Sequence, residues 1–211
     1  MEIPILEKYL LGGAEGGDMV LIEYTSTYPL EEFSWGFLIP RLVKRGEIAI
    51  GDFFGVGDLL FRNYIRGAPV KAYSRVLELI KRIKIVKIGP GSASYGEVID
   101  EVVPSYNPQD FLKNYHAIVN RMIHSPTKPE YFVTFGLAHY IRFGGDGAIK
   151  ALITGISTIP MEDWASVHLI NVDVLERAHL AMLEEIASMV FGLSKDGVTV
   201  KKGREAFDSG G

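Results

Sequence analysis

Short runs of apolar residues alternate along this chain with longer segments whose apolar positions recur every three or four residues, and this alternation limits the possible folds more than any other feature. The runs are Met19–Thr25, Ile48–Phe54, Ile83–Ile88, Glu97–Val103, Tyr131–Phe135, Ser166–Val172 and Met189–Leu193. Most are apolar throughout, as strands covered on both faces must be. Ile83–Ile88 instead alternates Ile and Val with Lys, as a strand with one wet face would. Strands separated by helices imply a largely parallel sheet with helices on both sides. Lys195-Asp-Gly197 is a hairpin turn into Val198–Lys202, so the sheet should end in an antiparallel edge.

The intervening segments carry helix signals. Ile5, Leu6, Tyr9 and Leu10 form a stripe after Pro4, closed by Gly12 and Gly13. A second helix should start near Pro29 and run to Val43, where Pro40 must kink or divide it, with Gly46 as its end. Leu59–Arg82 should be helical with a break at Gly67 and Pro69. Pro108–His124, a stretch bearing Ile141, Ile149, Leu152 and Ile153, and Leu175–Ser188 complete the set. Ser125-Pro-Thr-Lys-Pro129 breaks the chain, and Phe207 to Gly211 reads as a loose tail. With no repeat and no low-complexity linker, residues 1–206 are expected to form one domain, followed by the tail 207–211.

Composition narrows the function. A chain of 211 residues can bury roughly 70% of its unfolded surface and needs no covalent staples. It has no cysteine, which removes disulfides, thiolate metal sites and cysteine nucleophiles together. The net charge of −4 argues against a protein that coats nucleic-acid phosphates. No apolar run reaches the length of a membrane span, and the N-terminus lacks the features of a secretory signal, so a cytoplasmic protein is expected. Gln109 is the single glutamine, and scarcity of Gln and Cys hints at a thermophilic source.

Two patches carry a resemblance. Leu11-Gly-Gly-Ala-Glu-Gly-Gly-Asp-Met-Val-Leu-Ile-Glu23, and then Leu42-Val-Lys-Arg-Gly-Glu-Ile-Ala-Ile50, follow a short-helix, Gly-Gly, strand, helix, Arg-Gly, strand order. Ile186-Ala-Ser-Met-Val-Phe-Gly-Leu193 leads into the closing hairpin. This layout resembles the RecA/KaiC/RadB superfamily of P-loop ATPases, and within it an uncharacterised archaeal family. The resemblance implies a three-layer α/β/α RecA-like domain, mainly parallel, and a tendency to self-associate.

The phosphate loop departs from that pattern. A P-loop needs G-x-x-x-x-G-K-[ST], with glycines to wrap the phosphates, a lysine to neutralise them and a hydroxyl for Mg²⁺. The aligned positions read Tyr24-Thr-Ser-Thr-Tyr-Pro-Leu-Glu31. Tyr24 and Pro29 replace the glycines, Leu30 the lysine and Glu31 the hydroxyl residue. Glu31 and Glu32 should stabilise the helix start by about 0.3–1 kcal/mol each, and would repel a triphosphate. At 4 Å that repulsion is about 4 kcal/mol per charge pair at an effective dielectric of 20. The metal-binding aspartate of the superfamily is also replaced: Thr134 and Phe135 end the corresponding strand. Asp52 or Asp58 could fall at the position of the catalytic glutamate, but both read as solvated or capping acids.

Other constellations are plainer. Gly89-Pro-Gly-Ser-Ala-Ser-Tyr-Gly96 could make an anion-binding nest, yet reads as a connection. His116, His124, His139, His168 and His179 form no metal-ligand spacing and read as structural or surface residues. Ser94, Ser157 and Ser166 carry no nucleophile signature. Arg41, Lys44, Arg45 and the group Lys81, Arg82, Lys84, Lys87 read as surface charge. No catalytic, cofactor-binding or metal-binding residues are assigned. Tyr24, Tyr28, Phe54 and Tyr64 are expected near the C-terminal edge of the sheet, where open α/β sheets bind ligands, and could line an aromatic crevice for a peptide.

The leading expectation is a non-catalytic RecA/KaiC-like domain that acts as a protein-interaction or regulatory module, able to self-associate. The alternatives are a divergent ATPase that uses the Gly89–Gly96 loop, and a peptide-binding protein that uses the aromatic crevice.

Overall fold

The computed structural model describes residues 4–125, 128–159 and 163–203. The tail at 207–211 lies outside them. Eight strands form one sheet: β1 (Met19–Tyr24), β2 (Ile48–Phe53), β3 (Ile83–Ile88), β4 (Glu97–Val102), β5 (Tyr131–Phe135), β6 (Ala165–Asn171), β7 (Met189–Ser194) and β8 (Gly197–Lys202). Their spatial order is β4-β3-β2-β5-β6-β1-β7-β8. Every pairing is parallel except the β7–β8 hairpin. The expected mainly parallel α/β sheet with an antiparallel edge is therefore present.

Alternation along each strand sends side chains to two faces. Val20 and Ile22 of β1, Ile48 and Ile50 of β2, Val133 of β5 and Val167 of β6 share one buried cluster. Against this upper face pack α1 (Pro4–Leu6) with the π-helical turn that continues it, α2 (Ile39–Arg45), α3 (Val56–Gly67) and α4 (Val70–Ile80). The lower face is covered by α5 (Pro108–Ile123), α6 (Leu137–Thr158) and α7 (Arg177–Ile186). This is the three-layer arrangement.

Pro40 acts on the chain before it. A proline cannot give an N–H to the carbonyl four residues back. Residues Glu32–Leu38 form a π-helix, and the Ile39 N–H reaches Ser34 O, five residues back. The ordinary α-turn resumes with α2. The widened turns bury Phe33, Trp35, Phe37 and Leu38 together. Trp35 lies 4.9 Å from the rings of both Phe61 and Tyr95, and 6.1 Å from Phe135.

The predicted break in Leu59–Arg82 falls where expected, between α3 and α4. The helix that carries Ile141 and Ile149 has a break the sequence reading did not include. Gly145, at φ 53° and ψ −136°, interrupts α6 in a conformation open to glycine.

Candidate functional site

Several polar groups of the turn after β1 are bound within the chain. The Ser26 N–H donates to the Asp173 carboxylate at 2.7 Å, and the Asn171 side chain donates to Ser26 Oγ at 3.1 Å. The N–H groups of Tyr28 and Leu30 donate to Thr25 O and Tyr28 O. Leu30 is 4% exposed and packs into the upper core. A carboxylate of this chain thus holds one amide of the turn.

Asp52 and Asp58 are not solvated, contrary to one half of the sequence expectation: both are fully buried. They are capping groups. Asp52 is the last residue but one of β2, and its carboxylate accepts from the N–H of Gly57 at 2.8 Å, the N–H of Asp58 at 3.1 Å and the Tyr95 hydroxyl at 2.9 Å. It thereby satisfies the free amides at the start of α3. Gly57 is required there, because a Cβ would stand 2.7 Å from Tyr95 Oη. Asp58 accepts from Ser94 N–H and Oγ, at 2.7 and 2.6 Å, and pairs with Arg62 at 2.8 Å. The Gly89–Gly96 loop is therefore tied to α3 through Ser94.

The four aromatic candidates do not share one place. Tyr24, Tyr28 and Tyr64 pack on the upper core. Phe54 packs on the lower core, its ring 5.3 Å from that of Phe143. It has a positive φ of 60°, unusual for a bulky residue.

A second feature lies under the sheet. One row crosses four strands in register as Gly51, Thr134, His168 and Leu21. The next row places Phe132 beside Ser166. Around Phe132, glycine, threonine, serine and histidine leave little apolar bulk in the middle of the lower face. The lower core is accordingly split. Leu21, Phe53, Tyr140, Ile149 and Leu183 cluster on one side, and Val86, Ile118, Val119, Met122 and Trp164 on the other. Between them, roofed by α5 and α6, lies a chamber of about 450 Å³.

Thr134 Oγ1 and His168 Nδ1 are hydrogen-bonded at 2.8 Å on the chamber floor. Burial holds the His168 imidazole far below its ordinary range, at about 4, so it is neutral at pH 7. Burial pushes Asp52 the other way, to about 6, against the hydrogen bonds from Gly57, Tyr95 and Asp58. The two groups oppose each other in stability. His168 is protonated more readily in the unfolded chain, so its contribution is complete above its ordinary value of 6.5 and is lost as pH falls towards 4. Asp52 is protonated more readily in the folded chain, so its contribution is complete below 3.8 and is lost as pH rises through 6. Each slope is at most about 1.4 kcal/mol per pH unit. We expect His168→Gln to gain stability relative to the parent as pH falls from 6.5 to 4. Urea unfolding across that window measures this, and a difference independent of pH would show that His168 is not held neutral.

Among the described residues, no three His, Asp or Glu side chains are grouped as metal ligands, and no helix is long and apolar enough to cross a membrane.

Residues 10–206 match the family described as Pyrococcus protein of unknown function, DUF257. The chain belongs to this family. No curated protein matches it. Three solved structures place the DUF257 fold. PH0250 from Pyrococcus horikoshii superposes with a TM-score of 0.73 at 19% identity, over 98% of this chain and 94% of that one. The KaiC-like protein PH0186 from the same hyperthermophilic archaeon gives 0.59 at 18% identity, over 96% and 87%. The uncharacterized protein PH0321 from Pyrococcus horikoshii, solved in complex with an unknown peptide, gives 0.56 at 13% identity, over 95% and 90%. At these identities the likeness shows the fold alone: this DUF257 chain shares the α/β fold of the KaiC-like protein PH0186.

Proposed function

We propose that residues 1–206 act as one non-catalytic RecA/KaiC-like module in the cytoplasm, serving protein interaction instead of nucleotide turnover. The observation that carries this reading is the closed turn after β1. Asp173 takes the Ser26 amide, Leu30 is buried where a phosphate-binding lysine would reach out, and Glu31 and Glu32 follow. Backbone amides already bound to a carboxylate cannot also cradle a phosphate without breaking that contact. The second candidate loop is engaged too, since Asp58 holds both polar groups of Ser94. A protein or peptide as partner is supported by PH0321, whose structure contains an unknown peptide.

Titration with a fluorescent ATP analogue and Mg²⁺ tests the reading. We expect no saturable binding at micromolar concentrations, and no phosphate release with or without DNA. Micromolar binding that disappears when the Tyr24–Glu31 turn is altered would overturn it.

A further inference from the structure

We infer that the chamber between the sheet and helices α5 and α6 is a binding site for an elongated, uncharged apolar molecule with a single hydroxyl head, of the long-chain alcohol class. This goes beyond the interaction reading and does not depend on it.

Shape is the first argument. The chamber holds about 450 Å³, within the range of small-molecule sites. It runs diagonally under the sheet, from Gly17–Met19 at the start of β1 to Val102–Ser105 at the end of β4. Those two strands are five places apart in the sheet. At strand spacings near 4.8 Å that is a span of about 24 Å. A space drawn out across five strand intervals suits a chain more than a compact ring.

Chemistry is the second. The walls are Phe53, Phe111, Leu137, Leu152 and Ile156, with Met122 beside them. Among the described lining residues there is no lysine or arginine. The one carboxylate, Asp18, accepts the Glu15 N–H at 2.8 Å. An anionic head would thus find no cationic side chain in the described lining to offset its desolvation. An extended peptide would bring two backbone hydrogen-bonding groups per residue against a lining whose polar side chains away from the floor are few, Asn114 and Tyr115 among them. A chain with one hydroxyl asks for a single polar contact. The floor supplies it: His168 gives one ring nitrogen to Thr134 and keeps the other for a ligand, with Ser166 alongside.

One end is strapped and the other residues of that strap reach solvent. Tyr140 Oη donates to Ser105 O, while Val103 is 80% exposed. Entry beside Val103 would leave the Tyr140 contact in place.

The test uses the full chain and the neutral fluorophore N-phenyl-naphthylamine. We expect it to bind at one site per chain and to be displaced by hexadecanol at micromolar concentration. Hexadecane and palmitate should each be weaker by about tenfold or more, the worth of one hydrogen bond. Ile156→Trp, which fills the chamber, should abolish binding while the far-ultraviolet circular dichroism is kept. His168→Leu should bring hexadecanol to the level of hexadecane. No saturable binding by the parent protein would overturn the inference, whatever the variants do. So would displacement by palmitate or an apolar octapeptide at lower concentration than hexadecanol, or unchanged binding by a folded Ile156→Trp.

Discussion

Asp52→Ala is expected to destabilise the protein by about 3–5 kcal/mol, measured by urea unfolding at pH 7. The side chain is fully buried and accepts three hydrogen bonds, from Gly57, Asp58 and Tyr95. Alanine would leave all three donors in the interior, and each unmet buried donor costs about 1–3 kcal/mol. The sum is moderated because the carboxylate is itself costly to bury, as its raised pKa of about 6 records. Asp52→Asn separates the two effects. It keeps one carbonyl acceptor and removes the charge, but its NH2 faces a buried N–H donor that the second carboxylate oxygen now meets, so its loss should be about 1–3 kcal/mol. A loss below that for alanine would show that α3 does not depend on this cap.

Trp35→Ala should cost about 3–5 kcal/mol by the same measurement. Trp35 is 1% exposed and packs against Phe61, Tyr95 and Phe135. Its indole nitrogen is buried without a hydrogen-bond partner. Trp35→Phe therefore removes an unmet donor along with some packing, and should cost only about 1 kcal/mol. Tyr95 touches both Trp35 and Asp52, so the two sites should not be independent. A double-mutant cycle of Trp35→Ala with Asp52→Ala is expected to show a coupling of about 0.5–3 kcal/mol. Strict additivity would mean that Tyr95 holds its hydroxyl in place without the indole.

Much of this architecture is legible in the residues. Uninterrupted apolar runs such as Val20-Leu-Ile22 and Ile48-Ala-Ile50 mark strands covered on both sides, and Gly67 with Pro69 marks the α3–α4 break. Pro40 announces a disturbance, although its form, a π-helix upstream, depends on which carbonyls the neighbouring amides can still reach. The interruption at Gly145 is harder to read. Gly144-Gly-Asp-Gly147 could as well end a helix as bend one, and the reason for glycine at 144 comes from a distant residue, Tyr106, whose ring fills the space a Cβ there would need. Asp52 and Asp58 look like surface acids, because their partners Tyr95 and Ser94 come from a loop some forty residues away. The chamber left a faint trace: Thr134 on β5, and Ser166 and His168 two positions apart on β6, are polar residues on one face of otherwise apolar strands. Each alone is unremarkable, and only the register that sets them side by side gives them meaning. The partnership of Ser26 with Asp173 in the turn after β1 left no trace in the sequence, since the two are 147 residues apart.

The place of β1 between β6 and β7 has a consequence for biogenesis. Met19 faces Ser166 on one side, and Val20 faces Met189 on the other. The earliest strand to leave the ribosome must wait for nearly the latest ones before either flank is covered. At roughly 5–20 residues per second that delay is about 10–30 s. Throughout it, the nascent chain carries an apolar ribbon whose amides and carbonyls have no sheet to join, a template for wrong pairing.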